Sequence, residues 1–198
     1  MRISPVPWTI FFANDARKIH SFILNVVPTE SIRQTPELTD QEAAALFGWS
    51  DDVFNVAGRE LPSSGGCDTH FILEFDGQPV CHVGALLHTI DMAGTPVAIA
   101  GLGGVVTRPE ARGRGCARRL IGHVIDFAER EWKVDAGFLF CLEHMTGYYS
   151  SFGWTRLEVP VMIDQPGGVI ENPGPAFVRP LGNFEWPPGT VLINRLPW

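Results

Sequence analysis

Between Val97 and Leu142 the hydrophobic pattern changes period twice, and that succession restricts the fold more than any single motif. VAIAGLGGVVT reads as a strand. From Gly113 to about Trp132, Ala117, Leu120, Ile121, Val124 and Ala128 recur at spacings of three and four, which lays an apolar stripe along one face of a helix. DAGFLFCL follows as a short, almost wholly apolar run, suited to a strand buried on both faces beside a parallel neighbour. Strand, helix and buried strand make a right-handed crossover unit, so an α/β (α+β) domain with a parallel strand pair is expected.

Upstream of that unit the chain reads as antiparallel. Thr39 or Asp40 can cap a helix with Glu42 near the third position, and TDQEAAALFGW carries good helix formers. HFILEF, the turn DGQP and PVCHVGALLHTIDM form two strands joined tightly, and AGTP turns the chain into the third, VAIAGLGGVVT. Downstream, EHMTGYYSSFGW reads as a short helix ending at Gly153, TRLEVPVMI as one strand and VLINRL as a last strand. Residues 165–190 hold much of the proline and glycine, broken by AFVRPL. ANDARKIHSFILNVV has a helical look between prolines, so residues 1–35 are taken as an N-terminal extension and 36–198 as the domain proper.

Composition limits the partners. Twenty-two acidic residues face 15 basic ones, a formal net charge of −7, which argues against nucleic acid as the main ligand and favours cationic small molecules such as amines. The four cysteines, Cys67, Cys81, Cys116 and Cys141, show no metal-ligand spacing and imply no metal; buried free thiols in a reducing compartment fit them best. No apolar run approaches the ~18 residues that span a bilayer, so no membrane partner and a cytoplasmic location are expected.

Against that acidic background, RPEARGRGCARRL places five arginines in thirteen residues, Arg108 to Leu120, at the junction of strand and helix. The first turn of a helix leaves backbone N–H groups without intrahelical partners, and the macrodipole adds roughly half a positive charge there. Glycines at 113 and 115 let the backbone approach an anion, and Arg112 and Arg114 can give charge-assisted hydrogen bonds to phosphate oxygens. Arg112, Gly113, Arg114, Gly115, Cys116 and Ala117 therefore read as a pyrophosphate cradle. A P-loop is excluded because no lysine occurs between Lys18 and Lys133; a dinucleotide fingerprint fails because Val106 follows Gly101 and Gly103 where a glycine is needed. A nucleic-acid patch or a solvated basic helix start are the competing readings.

Arg112, Gly115 and Ala117 fit the pattern Q/R-x-x-G-x-G/A, and the stretch resembles the cofactor loop of the GNAT superfamily of acyl-CoA-dependent N-acyltransferases. The order of elements over roughly residues 38–165, with YYSSFGW in place of the family's FYxxxGF, is similar as well. TVLINRLPW and the overall spacing resemble aminoglycoside 2′-N-acetyltransferases and relatives ending in tryptophan. The resemblance implies a mixed, mostly antiparallel sheet flanked by helices, with a splayed central pair of parallel strands, Val97–Thr107 and Gly137–Leu142. Acetyl-CoA would be the cosubstrate.

The same resemblance implies the chemistry. Backbone groups of Val105, Val106 and Thr107 would meet the pantetheine arm and polarise the thioester, with Gly103 and Gly104 marking a bulge. Tyr149 would protonate the departing thiolate, a sensible task for a phenol of pKa about 10 beside a thiol of about 8.5; the alternative is a packed core tyrosine. The residues themselves, not the resemblance, offer candidates for the base: His82 and His88, which share strand parity, with satisfied core histidines as the alternative, and Glu143 just past the buried strand. Trp198 would lie at the acceptor site with the terminal carboxylate, or else merely cap the core. Asp51 and Asp52 would add negative charge there. Aminoglycoside relatives carry a glutamate where this chain has Gly103, which sets this chain apart from them. The expected reaction moves acetyl to a primary amine of a small molecule by direct attack in a ternary complex, with a homodimer as the candidate assembly; the alternative is an acyl-CoA-binding module of the same fold without turnover.

Overall fold

The computed structural model describes residues 28–54 and 56–198. The helical reading of ANDARKIHSFILNVV lies outside them. Within the segment taken as an extension, Glu30–Thr35 forms strand β1 and pairs antiparallel with β2, Thr69–Phe75.

Helix α1, Asp40–Phe47, starts as its sequence dictates. The Thr39 hydroxyl accepts from the Glu42 N–H, and the Glu42 carboxylate accepts from the Thr39 N–H at 2.8 Å, a complete capping box. Tight turns then link β2 to β3, Gln78–Met92, and β3 to β4, Thr95–Thr107, in an antiparallel meander. The long β3 serves two neighbours on one edge, β2 along its first half and β10, Val191–Ile193, at its end.

From β4 the chain passes through a single 3₁₀ turn, Pro109–Ala111, into α2, Cys116–Phe127, extended by one π-helical turn to Trp132. Strand β5, Ala136–Phe140, returns parallel to β4 and completes the expected crossover; its first four residues are buried. A 3₁₀ turn and the short α3, Thr146–Ser150, follow.

The stretch TRLEVPVMI is two strands rather than one. β6, Thr155–Arg156, pairs with β9, Ala176–Pro180, whereas β7, Val161–Gln165, pairs with β10 and with β8, Gly168–Glu171. Pro160 has no N–H to continue a ladder, and the chain crosses there from one part of the sheet to another. AFVRPL is the buried strand β9, between β5 and β6. VLINRL is strand only over Val191–Ile193.

The sheet is mixed and mostly antiparallel, with β4–β5 and β7–β10 as parallel pairs. α2 covers one face with Leu120, Ile121, Val124 and Ile125 against Phe71, Cys81 and Val83. α1 covers part of the other through Leu46, against Ile72 and Val106. Among the described residues no helix is long and apolar enough to cross a membrane.

Candidate active site

The site begins where two strands part. β4 and β5 stay in register from Ile99↔Ala136 to Leu102↔Leu139; past that point β4 continues to Thr107 beside β3 alone. Opposite β3 the ladder also slips, because His82 pairs with Val106 and Gly84 with Gly103, so β4 carries one extra residue. Gly104, at φ +57°, sits in that bulge. The Arg108 N–H donates to the Val80 carbonyl at 2.9 Å, so strand alternation turns the Thr107 backbone away from β3 and toward the fork. A cavity of about 1270 Å³ fills the fork and reaches from the α2 N-terminus to α1. Val105, Val106 and Thr107 all line it.

The basic loop forms one end of the cavity. Gly113 and Gly115 both take left-handed backbone, φ +73° each, a conformation that side chains resist, and Gly115 is the helix N-cap. The first helical bond runs from Arg119 N–H to Gly115 O, and no side chain caps the helix, so the N–H groups of Cys116, Ala117 and Arg118 lack intrahelical acceptors. Arg112, Gly113, Gly115, Cys116 and Ala117 line the cavity.

The five arginines divide by partner. Arg108 pairs with Glu110 at 2.7 Å, and Arg119 holds Glu30 of β1 through Nε and Nη2 while its Nη1 donates to the Arg114 carbonyl. Arg118 donates to the Ser151 carbonyl. Arg112 and Arg114 have no carboxylate partner among the described residues. The Arg112 guanidinium lies 4.9 Å from the Trp49 ring and donates from Nε to the Thr107 carbonyl; that of Arg114 lies 4.1 Å over Phe75, and Arg114 is not among the lining residues. Two cations, a row of free amides and glycines without side chains suit a diphosphate.

Tyr149 is 5 % exposed, lines the cavity from α3, and packs against Tyr148, Trp154 and Phe177. Its hydroxyl has no hydrogen-bond partner among the described residues, and burial raises its pKa, so it stays a protonated donor. Trp198 lies across the opening of the fork. Its indole N–H donates to the Leu102 carbonyl at 3.0 Å and its ring meets Phe138 and Phe140 of β5. A Cβ at Gly101 would stand 2.5 Å from that ring, and one at Gly103 would stand 3.0 Å from the Trp198 backbone. Those two glycines make room for an indole; only Gly104 serves the bulge.

The candidate bases fare differently. Glu143 lines the cavity but is paired with Arg156 at 2.8 Å. His88 neighbours Asn194 and Arg195, away from the cavity lining. His82 lines the cavity at 3 % exposure, and burial lowers its pKa to about 4. Its Nδ1 lies 2.7 Å from the Gly104 carbonyl and its Nε2 lies 2.9 Å from His70 Nδ1. His70, not singled out by the sequence, also lines the cavity. The available signal was the hairpin register, which puts positions 70 and 82 diagonally on one face. Asp52 caps its own turn through the N–H groups of Val56 and Ala57. All four cysteines are free, and burial raises Cys67, Cys81 and Cys141 to about 11.

The family described as Acetyltransferase (GNAT) domain matches residues 38–157, from the residue before the α1 cap to the break after β6. The chain belongs to the GNAT acetyltransferases. Solved structures, two GNAT proteins among them, share its fold. A GNAT family acetyltransferase from Brucella melitensis, in complex with acetyl-CoA, is 19% identical at TM-score 0.54 and covers 84% of this chain and 96% of its own. YhbS from Escherichia coli, a GNAT N-acetyltransferase in complex with CoA, gives 19%, 0.54, 84% and 91% on the same measures. ElaA from Escherichia coli is 16% identical at TM-score 0.52, covering 76% of this chain and 99% of its own. No curated protein sequence matches the chain. As a GNAT member it is an acyltransferase, and nothing in these likenesses singles out an aminoglycoside enzyme.

Proposed function

We propose that this GNAT protein transfers the acetyl group of acetyl-CoA to a primary amine of a small molecule, by direct attack with both substrates bound. The observation that carries it is the continuous cavity joining an uncapped, arginine-flanked helix N-terminus to a buried tyrosine through the β4–β5 fork. Acetyl-CoA, found with the Brucella melitensis relative, supplies an activated acetyl thioester.

The chain's own residues have separable tasks. The amides of Cys116, Ala117 and Arg118, with Arg112 and Arg114, hold the diphosphate. Arg114 reaches it by leaving Phe75. The unpaired edge of β4 at Val105–Thr107 receives the pantetheine amides and directs an N–H at the carbonyl where negative charge develops. Tyr149 gives its proton to the departing sulfur; burial keeps its hydroxyl in the protonated form over the whole neutral range. Trp198 walls the acceptor end together with Phe47, Val53, Phe54 and Leu61, which favours an amine with an apolar body. Gly103 lies under Trp198 where aminoglycoside-modifying relatives carry glutamate, and that argues against an aminoglycoside acceptor. The domain proposed for this chemistry spans residues 36–198, with β1 added to its sheet.

Calorimetry with acetyl-CoA, and thiol release with a panel of primary amines, tests the reading. Tyr149→Phe is expected to keep cofactor affinity and lose on the order of 10²-fold in kcat. Arg112→Glu is expected to abolish binding while the far-UV spectrum is unchanged. Saturable binding without turnover of any amine would make the chain an acyl-CoA-binding module instead.

A further inference from the structure

We infer that His70 is the general base that receives the amine's proton and that His82 positions it; this rests on the acetyl-transfer reading above. The hydrogen-bond chain fixes both tautomers. A carbonyl oxygen only accepts, so the contact of His82 Nδ1 with Gly104 O places a proton on Nδ1. The buried His82 ring is neutral, which leaves a lone pair on Nε2. His70 must then donate from Nδ1 across the 2.9 Å contact, and its own Nε2 is left as an acceptor with no partner among the described residues.

Three further features make this a built device. The Phe47 ring of α1 meets the His82 ring edge-on at 5.2 Å and holds its plane. The inner end of the relay is tied to the β4 bulge, one residue before Val105, where the acyl group would be presented. The outer end, His70, lines the same cavity. The groups that act on His70 electrostatically are Glu37, which favours its charged form, and His82; partial burial outweighs Glu37 and holds its pKa below the usual 6.5.

Proton gain at His70 Nε2 breaks no existing hydrogen bond, because Nδ1–H goes on donating to His82. An amine arriving as its ammonium loses one proton to Nε2, which frees the nitrogen lone pair. As the N–C bond forms and the C–S bond breaks, sulfur takes the Tyr149 proton. The second nitrogen proton restores Tyr149 through solvent, and the proton on His70 leaves to water.

The tautomers are read by long-range ¹H–¹⁵N NMR of the imidazoles in the protein without cosubstrate; both rings are expected in the Nδ1–H form. Thiol release is then followed with an aliphatic primary amine. In the wild type kcat/KM is expected to fall as pH drops through His70's pKa, below 6.5. His70→Ala is expected to lower kcat by about 10²–10⁴-fold, to lose that acid limb, to bind acetyl-CoA within twofold, and to recover partly in added imidazole. His82→Gln should leave His70 a mixture of tautomers and lower kcat with KM little changed. Nε2–H tautomers in the wild type, or a His70→Ala protein with an unaltered rate and acid limb, would overturn the assignment while leaving acetyl transfer intact. Wild-type protein that binds acetyl-CoA and acetylates no amine removes the transfer reading and the base together.

Discussion

Gly101 and Gly103 illustrate how a residue choice in a strand is set by a partner far away in sequence. Strand interiors disfavour glycine, yet any side chain at 101 would occupy the Trp198 ring's place. Gly101→Ala is expected to expel the indole, lower stability by roughly 1–3 kcal/mol in urea titrations, and red-shift tryptophan emission. In the Trp198→Ala background the same change should cost less by about 1 kcal/mol or more, since the clash is then gone. The glycine-arginine loop could be read locally, because helix start, spacing and charge lie within ten residues. The seat for Trp198 could not: a glycine cluster in a strand suggests a bulge, and here only Gly104 makes one.

Elements with local signals formed where their sequence placed them. The capping box of α1 is complete, and the Thr39 backbone holds the Glu42 carboxyl below its ordinary pKa. Thr39→Ala is expected to cost about 1 kcal/mol in thermal or urea unfolding, by returning an orphan N–H to solvent. Because α1 carries Phe47 against His82, the same variant should also broaden the His82 imidazole signals. The elements that escaped the sequence are those defined by distant pairing. β6 and β7 share one hydrophobic run but belong to different neighbours, and β9 looks like a proline-flanked loop until β5 and β6 close on it. Hydrophobic period reports what a residue faces, not which strand lies beside it.

For the whole molecule, the buried neutral His82 links folding to pH. Above 6.5 the ring is neutral in both folded and unfolded chains and its contribution to stability is constant. As pH falls from 6.5 to about 4, the unfolded chain takes a proton that the folded ring refuses, so stability declines by ~3 kcal/mol across that window. Urea midpoints at pH 7 and pH 4 measure this, and His82→Gln is expected to flatten the decline. The order of elements from α1 to α3 was legible because each follows its predecessor in space; the later strands were not, since β6 and β5 both join β9 and β10 joins β3 and β7 out of sequence order. The contact between Trp198 and Leu102 spans 96 positions. A nascent chain emerging from the ribosome therefore carries Gly101, Phe138 and Phe140 before their cover is synthesised, and the cleft between β4 and β5 stays open as a greasy groove until Trp198 docks.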